Sequence, residues 1–152
     1  MLTKRRHFLK QILTLSSYTA GLIFSKVSLG TWLASDFSKQ AIDATLAQQF
    51  GEQILLTTSK IKLKLPRVAE NGSVVPITIT SSIDNVDTVY IFAEKNPVPF
   101  IAKFSLDPEL ETFIGARFKM KETCDVIVIV HADGQYYQIK QSVKVTLGGC
   151  GG

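Results

Sequence analysis

A chain of 152 residues, 45% of them hydrophobic and with nine Phe, four Tyr and one Trp as its large anchors, is enough for one modest domain. Its formal charge of +4 is gathered at the N-terminus, where Lys4, Arg5, Arg6, Lys10 and Lys26 all precede the first acid, Asp36. Setting those five aside leaves 12 of the 17 basic residues against 13 acidic ones, a near-neutral remainder that argues against nucleic acid as the partner.

The first 30 residues read as an export peptide: a basic run, the apolar stretch Ile12–Phe24, and small residues Ser28 and Gly30 at the positions a signal peptidase examines. The apolar stretch is too short and too polar for a stable membrane anchor: Ser16, Ser17, Thr19 and Gly21 interrupt it, whereas a spanning helix needs about 20 mostly apolar residues. Arg5-Arg6-His7-Phe8-Leu9-Lys10 resembles a twin-arginine signal, although Lys4 stands where that motif usually has Ser or Thr. The alternative is a general secretory signal containing two arginines by chance. Both place the mature chain outside the cytoplasm, in the periplasm.

Past this segment, Ser35 or Asp36 is positioned to cap a helix running to about Phe50, with Gly51 ending it, as an N-terminal appendage. From Lys60 the period changes to two: Ile61, Leu63 and Leu65 alternate with Lys60, Lys62 and Lys64, a strand with one wet face that Pro66 stops. Asn71-Gly72 marks a turn before a second strand, Val74–Thr80, in which Pro76 requires an edge or a bulge. Val86–Glu94 is a third strand, closed by Asn96-Pro97-Val98-Pro99; Phe100–Leu106 and Thr112–Met120 follow, split by Asp107-Pro108. Asp125–Ala132 is almost continuously apolar, as a central buried strand should be. Asp133-Gly134 then turns the chain into Gln135–Leu147, whose Tyr137, Ile139, Val143, Val145 and Leu147 supply an inner face. Some seven short strands without crossover helices predict an all-β, immunoglobulin-like antiparallel sandwich. The expected organisation is an export signal over 1–30, a β domain with its N-terminal helix over 31–147, and an arm over 148–152.

That arm, Gly148-Gly149-Cys150-Gly151-Gly152, makes little sense as the end of an ordinary domain. Two glycines on each side leave the Cys150 thiol on a thin thread with nothing to bury or orient it, reaching about 10 Å past Leu147 at 3.3–3.6 Å per residue. No catalytic set accompanies it: a cysteine hydrolase needs a base fixed beside its nucleophile, and the nearby terminal carboxylate disfavours the thiolate. Its reactivity must come from other proteins' active sites, which a slender arm can enter. His131 reads as a satisfied core or edge histidine, and the scattered carboxylates as solvated faces. No metal site or cofactor is called for. A permanent Cys124–Cys150 disulfide has no geometric support from a glycine thread, and Cys124 reads as a buried small hydrophobe.

Ala69-Glu70-Asn71-Gly72-Ser73-Val74-Val75-Pro76, Ala93-Glu94-Lys95-Asn96-Pro97, Ala132-Asp133-Gly134 and above all Val143–Gly152 resemble the SoxY family of the periplasmic sulfur-oxidation (Sox) system. The resemblance implies a non-catalytic substrate carrier with Cys150 as attachment residue and Gly148, Gly149, Gly151 and Gly152 giving it reach. It implies a heterodimer with a SoxZ-like β-sandwich subunit, to which Pro76 in an edge strand and the few large aromatics also point. A c-type cytochrome would couple thiosulfate to the cysteine, a dimanganese hydrolase would release sulfate, and in some organisms a sulfane dehydrogenase would act on what remains. One departure is Cys124, where the family pattern suggests a small residue such as Ser. Two rivals stay open: a carrier whose terminal Gly151-Gly152 becomes a thiocarboxylate, and a structural module whose terminal cysteine crosslinks it to another subunit.

Overall fold

The structure, a computed structural model, describes residues 39–146. The export segment 1–30, the expected caps Ser35 and Asp36, and Leu147 with the arm 148–152 all lie outside the described residues. Within them run α1 (Ile42–Phe50), β1 (Leu55–Thr57), β2 (Ile61–Lys64), β3 (Val68–Ala69), β4 (Val75–Ser81), β5 (Val86–Ala93), β6 (Phe100–Ser105), β7 (Phe113–Phe118), β8 (Cys124–Ala132) and β9 (Gln135–Val145).

The strands form two sheets, one of order β1-β9-β8-β5-β6 with β3 also paired to β9, the other of order β2-β4-β7. β8 is central in the larger sheet, as its apolar run predicts. Its alternate residues Val126, Val128 and Val130 face the smaller sheet, whose Ile61, Val75, Ile77, Ile79, Ile114 and Phe118 complete the main core. The other face of β8 is equally apolar: Ile127 and Ile129 join Tyr90, Phe92 and Phe100 in a second cluster. Something must cover that face, and α1 does. Phe50 stands edge-on to Tyr90 at 5.0 Å and to Tyr136 at 5.2 Å, with Ile42 and Leu46 packed beside it. The helix is therefore a lid on a hydrophobic sheet face rather than an appendage. It also begins later than the cap residues suggest, because Ala41 is extended (ψ 154°) and offers no side-chain cap; Gly51, at φ 57°, ends it as expected.

Two further expectations need correction. The sheet is not purely antiparallel: β1 and β3 each lie parallel to β9, Leu55 opposite Tyr136 and Ala69 opposite Val145. Both are too short to show a period, and their pairing is decided by the exposed edge of β9. Pro76 lies in the middle strand of the smaller sheet, yet its expected edge character survives locally. β2 pairs only with Thr78–Ser81, so at Pro76 the strand has β7 alone as neighbour.

The β8–β9 hairpin turns on Asp133 and Gly134, with φ of 49° and 74°, the left-handed pair that a two-residue hairpin demands. From there β9 runs eleven residues, to Val145.

Candidate functional site

The end of β9 is held by three of the stretches that carry the family resemblance. On one side of β9, the Lys144 N–H donates to the Arg67 carbonyl (3.0 Å) and the Thr146 N–H to the Ala69 carbonyl (3.1 Å). On the other side, the Val145 N–H donates to Thr123 Oγ1 (2.9 Å), while the Thr123 hydroxyl donates back to the Val145 carbonyl at 3.4 Å. The strand is thus hydrogen-bonded on both edges through its last described residues.

Gly72 sits directly over this root. A Cβ at that position would lie 2.3 Å from the Met120 carbonyl oxygen and 2.9 Å from Val145 Cγ1. The Met120 N–H donates to the Gly72 carbonyl at 2.7 Å. Asn71 makes the local turn, its Oδ1 accepting from the Ser73 N–H at 2.9 Å. Asn96 then fixes the segment after β7 that Gly72 leans on: its amide donates to the Lys119 carbonyl (2.7 Å) and its Oδ1 accepts from the Lys121 N–H (2.9 Å). Asn71-Gly72, Asn96 and Val145-Thr146, distant in sequence, are one continuous set of contacts. The sequence marks Asn71-Gly72 as a turn; the close backbone approach that excludes any side chain is visible only in three dimensions.

Cys124 lies opposite Val143 on β8, within the main core and only 5% exposed. Burial pushes its thiol above the ordinary value, the carboxylates of Glu94 and Asp125 push the same way, and a hydrogen bond from the Lys95 backbone pulls only partly back. An enclosed, protonated thiol is a poor nucleophile, as the buried-hydrophobe reading expects. Cys150 and its four glycines, and Arg5 and Arg6, lie outside the described residues.

At the other end of β8, His131 is satisfied as expected, by a partner the sequence does not announce. The register slips between Val86 and Thr88, so Asp87 is an extra residue on β5 and its carboxylate turns to His131 Nδ1, at 2.7 and 2.8 Å. Tyr136 lies against the imidazole, with ring centres 4.5 Å apart. Burial raises the Asp87 carboxyl, but the hydrogen bonds from His131 and Thr88, with the charges of His131 and Lys103, bring it below its ordinary value. This is a structural pair. Among the described residues no group of three or more His, Cys, Asp or Glu side chains could hold a metal ion.

The geometry defines a small two-sheet β protein whose last strand is secured up to the start of its C-terminal tail. The chain belongs to the SoxY family: the model of that family, described as sulfur oxidation protein SoxY, matches residues 46–150 and so ends on Cys150. The structure is similar to that of the sulfur carrier protein SoxY from Chlorobium limicola f thiosulfatophilum, at 33% identity and a TM-score of 0.63, covering 69% of this chain and 96% of that one. It is also similar in fold to a superoxide reductase (neelaredoxin) from Ignicoccus hospitalis, at 11% identity and a TM-score of 0.51, covering 76% and 100%. No curated protein sequence matches the chain.

Proposed function

We propose that this chain is a non-catalytic carrier of sulfur intermediates in thiosulfate oxidation, with Cys150 as the attachment residue. The observation that carries the reading is the root. β9 is bonded on both edges as far as Val145, and the following Thr146 on one; the next residues are Leu147 and the glycine-flanked cysteine. A body held that firmly up to a stretch with no Cβ to restrict it gives a thiol reach without loss of address. The body is read as an immunoglobulin-like sandwich, since two sheets face each other across one core.

The chemistry follows from the thiol. Coupling joins the Cys150 sulfur to the outer sulfur of thiosulfate, giving Cys–S–S–SO3⁻ and releasing one proton and two electrons, which a c-type cytochrome accepts. Hydrolysis by a dimanganese enzyme then breaks the bond to the sulfonate group, giving Cys–S–SH, sulfate and a proton. A sulfane dehydrogenase would act on the persulfide where the host has one. The carrier would work in the periplasm as a heterodimer with a SoxZ-like subunit, exported by the twin-arginine route that Arg5 and Arg6 resemble.

Incubating the mature heterodimer with thiosulfate and the coupling cytochrome, followed by peptide mass mapping, tests this. The adduct is expected on Cys150, lost in Cys150→Ser and kept in Cys124→Ser. An adduct confined to Cys124, or a thiocarboxylate on Gly152, would overturn the reading. A bond to another subunit that persists regardless of substrate would favour the crosslinking module instead.

A further inference from the structure

The outer face of the smaller sheet carries charge of one sign. β2 turns Lys62 and Lys64 outward, with Lys60 just before it, and β7 turns out Arg117, with Lys119 just after it; all are exposed. No acidic residue occurs anywhere in Lys60–Arg67, Val74–Ser82 or Phe113–Lys121. None of the five cations is in an ion pair with another described residue. Between them the face is low and partly apolar. Lys64 adjoins Thr78, which adjoins Gly115; Pro76 adjoins Arg117, and Val74 (53% exposed) and Phe113 (69%) stand at opposite ends. Of the exposed acids, Asp84, Asp107, Glu109, Glu111 and Asp133 gather in the loops β4–β5, β6–β7 and β8–β9, while Glu70 and Glu122 stand just after β3 and just before β8.

We propose that this cationic face docks the enzyme that loads Cys150, through an acidic surface around that enzyme's active-site entrance. The proposal rests on the carrier reading and deepens it. Its position is what selects this occupant. The Arg117–Lys119 end of the face adjoins Met120, which is bonded to Gly72, which in turn leans on Val145 at the root of the arm. A partner seated there has the departing segment at its border. The chemistry of the face points the same way. Five solvated cations are a poor seal for a permanent subunit interface, whose core is depleted of charge, but they suit a transient, steered encounter that must release its cargo. Such a contact falls off over a Debye length of about 10 Å at 0.1 M salt, so it should be strongly salt-dependent.

The test is the kinetics of thiosulfate coupling by the purified c-type cytochrome of the same host, with the mature heterodimer as substrate, across a series of salt concentrations. In Lys62→Glu/Lys64→Glu/Arg117→Glu the KM should rise about tenfold at low salt while kcat is unchanged, and the salt dependence should flatten. The Gln triple variant should fall between. Asp107→Lys/Glu109→Lys, on the acidic loops, should not raise KM. Alkylation of Cys150 by iodoacetamide should proceed equally in all of them, which separates docking from thiol reactivity. Wild-type KM and salt dependence in the Glu variant would overturn the proposal. So would failure of that variant to co-purify with its partner subunit, which would make the face the heterodimer interface. Loss of binding to anionic phospholipid vesicles with KM unchanged would make it a membrane surface, and would overturn it equally. If the wild-type heterodimer forms no Cys150 adduct at any salt concentration, the carrier reading itself fails, a result distinct from all of these.

Discussion

The two sheets share one core and treat their remaining faces in opposite ways. The larger sheet is apolar on both sides, because α1 lies over Tyr90, Phe92, Phe100, Ile127 and Ile129. The smaller sheet is buried only where it meets its partner, and its other side exposes lysines, threonines and one arginine, with Pro76 and Phe113 among them. The contrast shows what the helix is for: without it, a sheet built to be buried twice would present aromatic side chains to water.

The sharpest way to break the contrast is the same truncation on each sheet. Phe92 is fully buried between Phe50 and Phe100, with ring centres 6.0 and 5.3 Å away, and Phe92→Ala should cost about 3–5 kcal/mol. Phe113 is as large but lies on the open face, and Phe113→Ala should stay within about 0.5 kcal/mol. Urea unfolding of both variants checks the pair, and equal losses would mean that the small sheet's outer face is covered. Next in size is Gly72→Ala, at the loop that packs against Met120 and the end of β9. The added methyl would meet the Met120 carbonyl, which cannot swing away, as well as Val145 Cγ1, so a cost of about 1–3 kcal/mol is expected. Faster amide exchange at Val145 and Thr146 should accompany it; unchanged exchange would show that the root does not depend on Gly72.

The smallest effect belongs to Asp87→Asn. The folded carboxyl titrates below its ordinary 3.8, so its contribution is present above the unfolded value and is lost as pH falls through the lower, folded one. The Asp87 side chain is 39% exposed, so solvent screening limits the effect to at most about 1 kcal/mol. The stability gap between Asp87→Asn and the parent chain should therefore be open near about pH 5 and narrow toward about pH 3. A gap that widens with acid would contradict the assignment.

How much of this is legible in the sequence follows from how local each cause is. The alternating lysines of β2, the apolar run of β8 and the Asp133-Gly134 hairpin are local patterns, and they predict the strands to within a residue or two. β1 and β3 are not legible, since two or three residues show no period and their partner is the last strand of the sheet, far along the chain. The bulge at Asp87 is equally hidden: nothing near that residue marks it as the hydrogen-bond partner of a histidine on another strand. The site divides the same way. The proposed attachment residue Cys150 and its flanking glycines are a local pattern, whereas the contacts that secure the end of β9 are assembled by Gly72, Asn96, Thr123 and Ala69 from four separate loops and strand ends.

β9 also has a mechanical consequence. Its eleven residues span roughly 35 Å at 3.4 Å each, from the hairpin tip to the departing segment. β8 flanks it along one edge, and β1 and β3 flank two stretches of the other. Tension applied beyond Thr146 runs along the strand axis, so these ladders are loaded together in shear instead of opening one bond at a time. A partner that tugs on the tail is pulling against most of the sheet, and the body should hold its shape while it does.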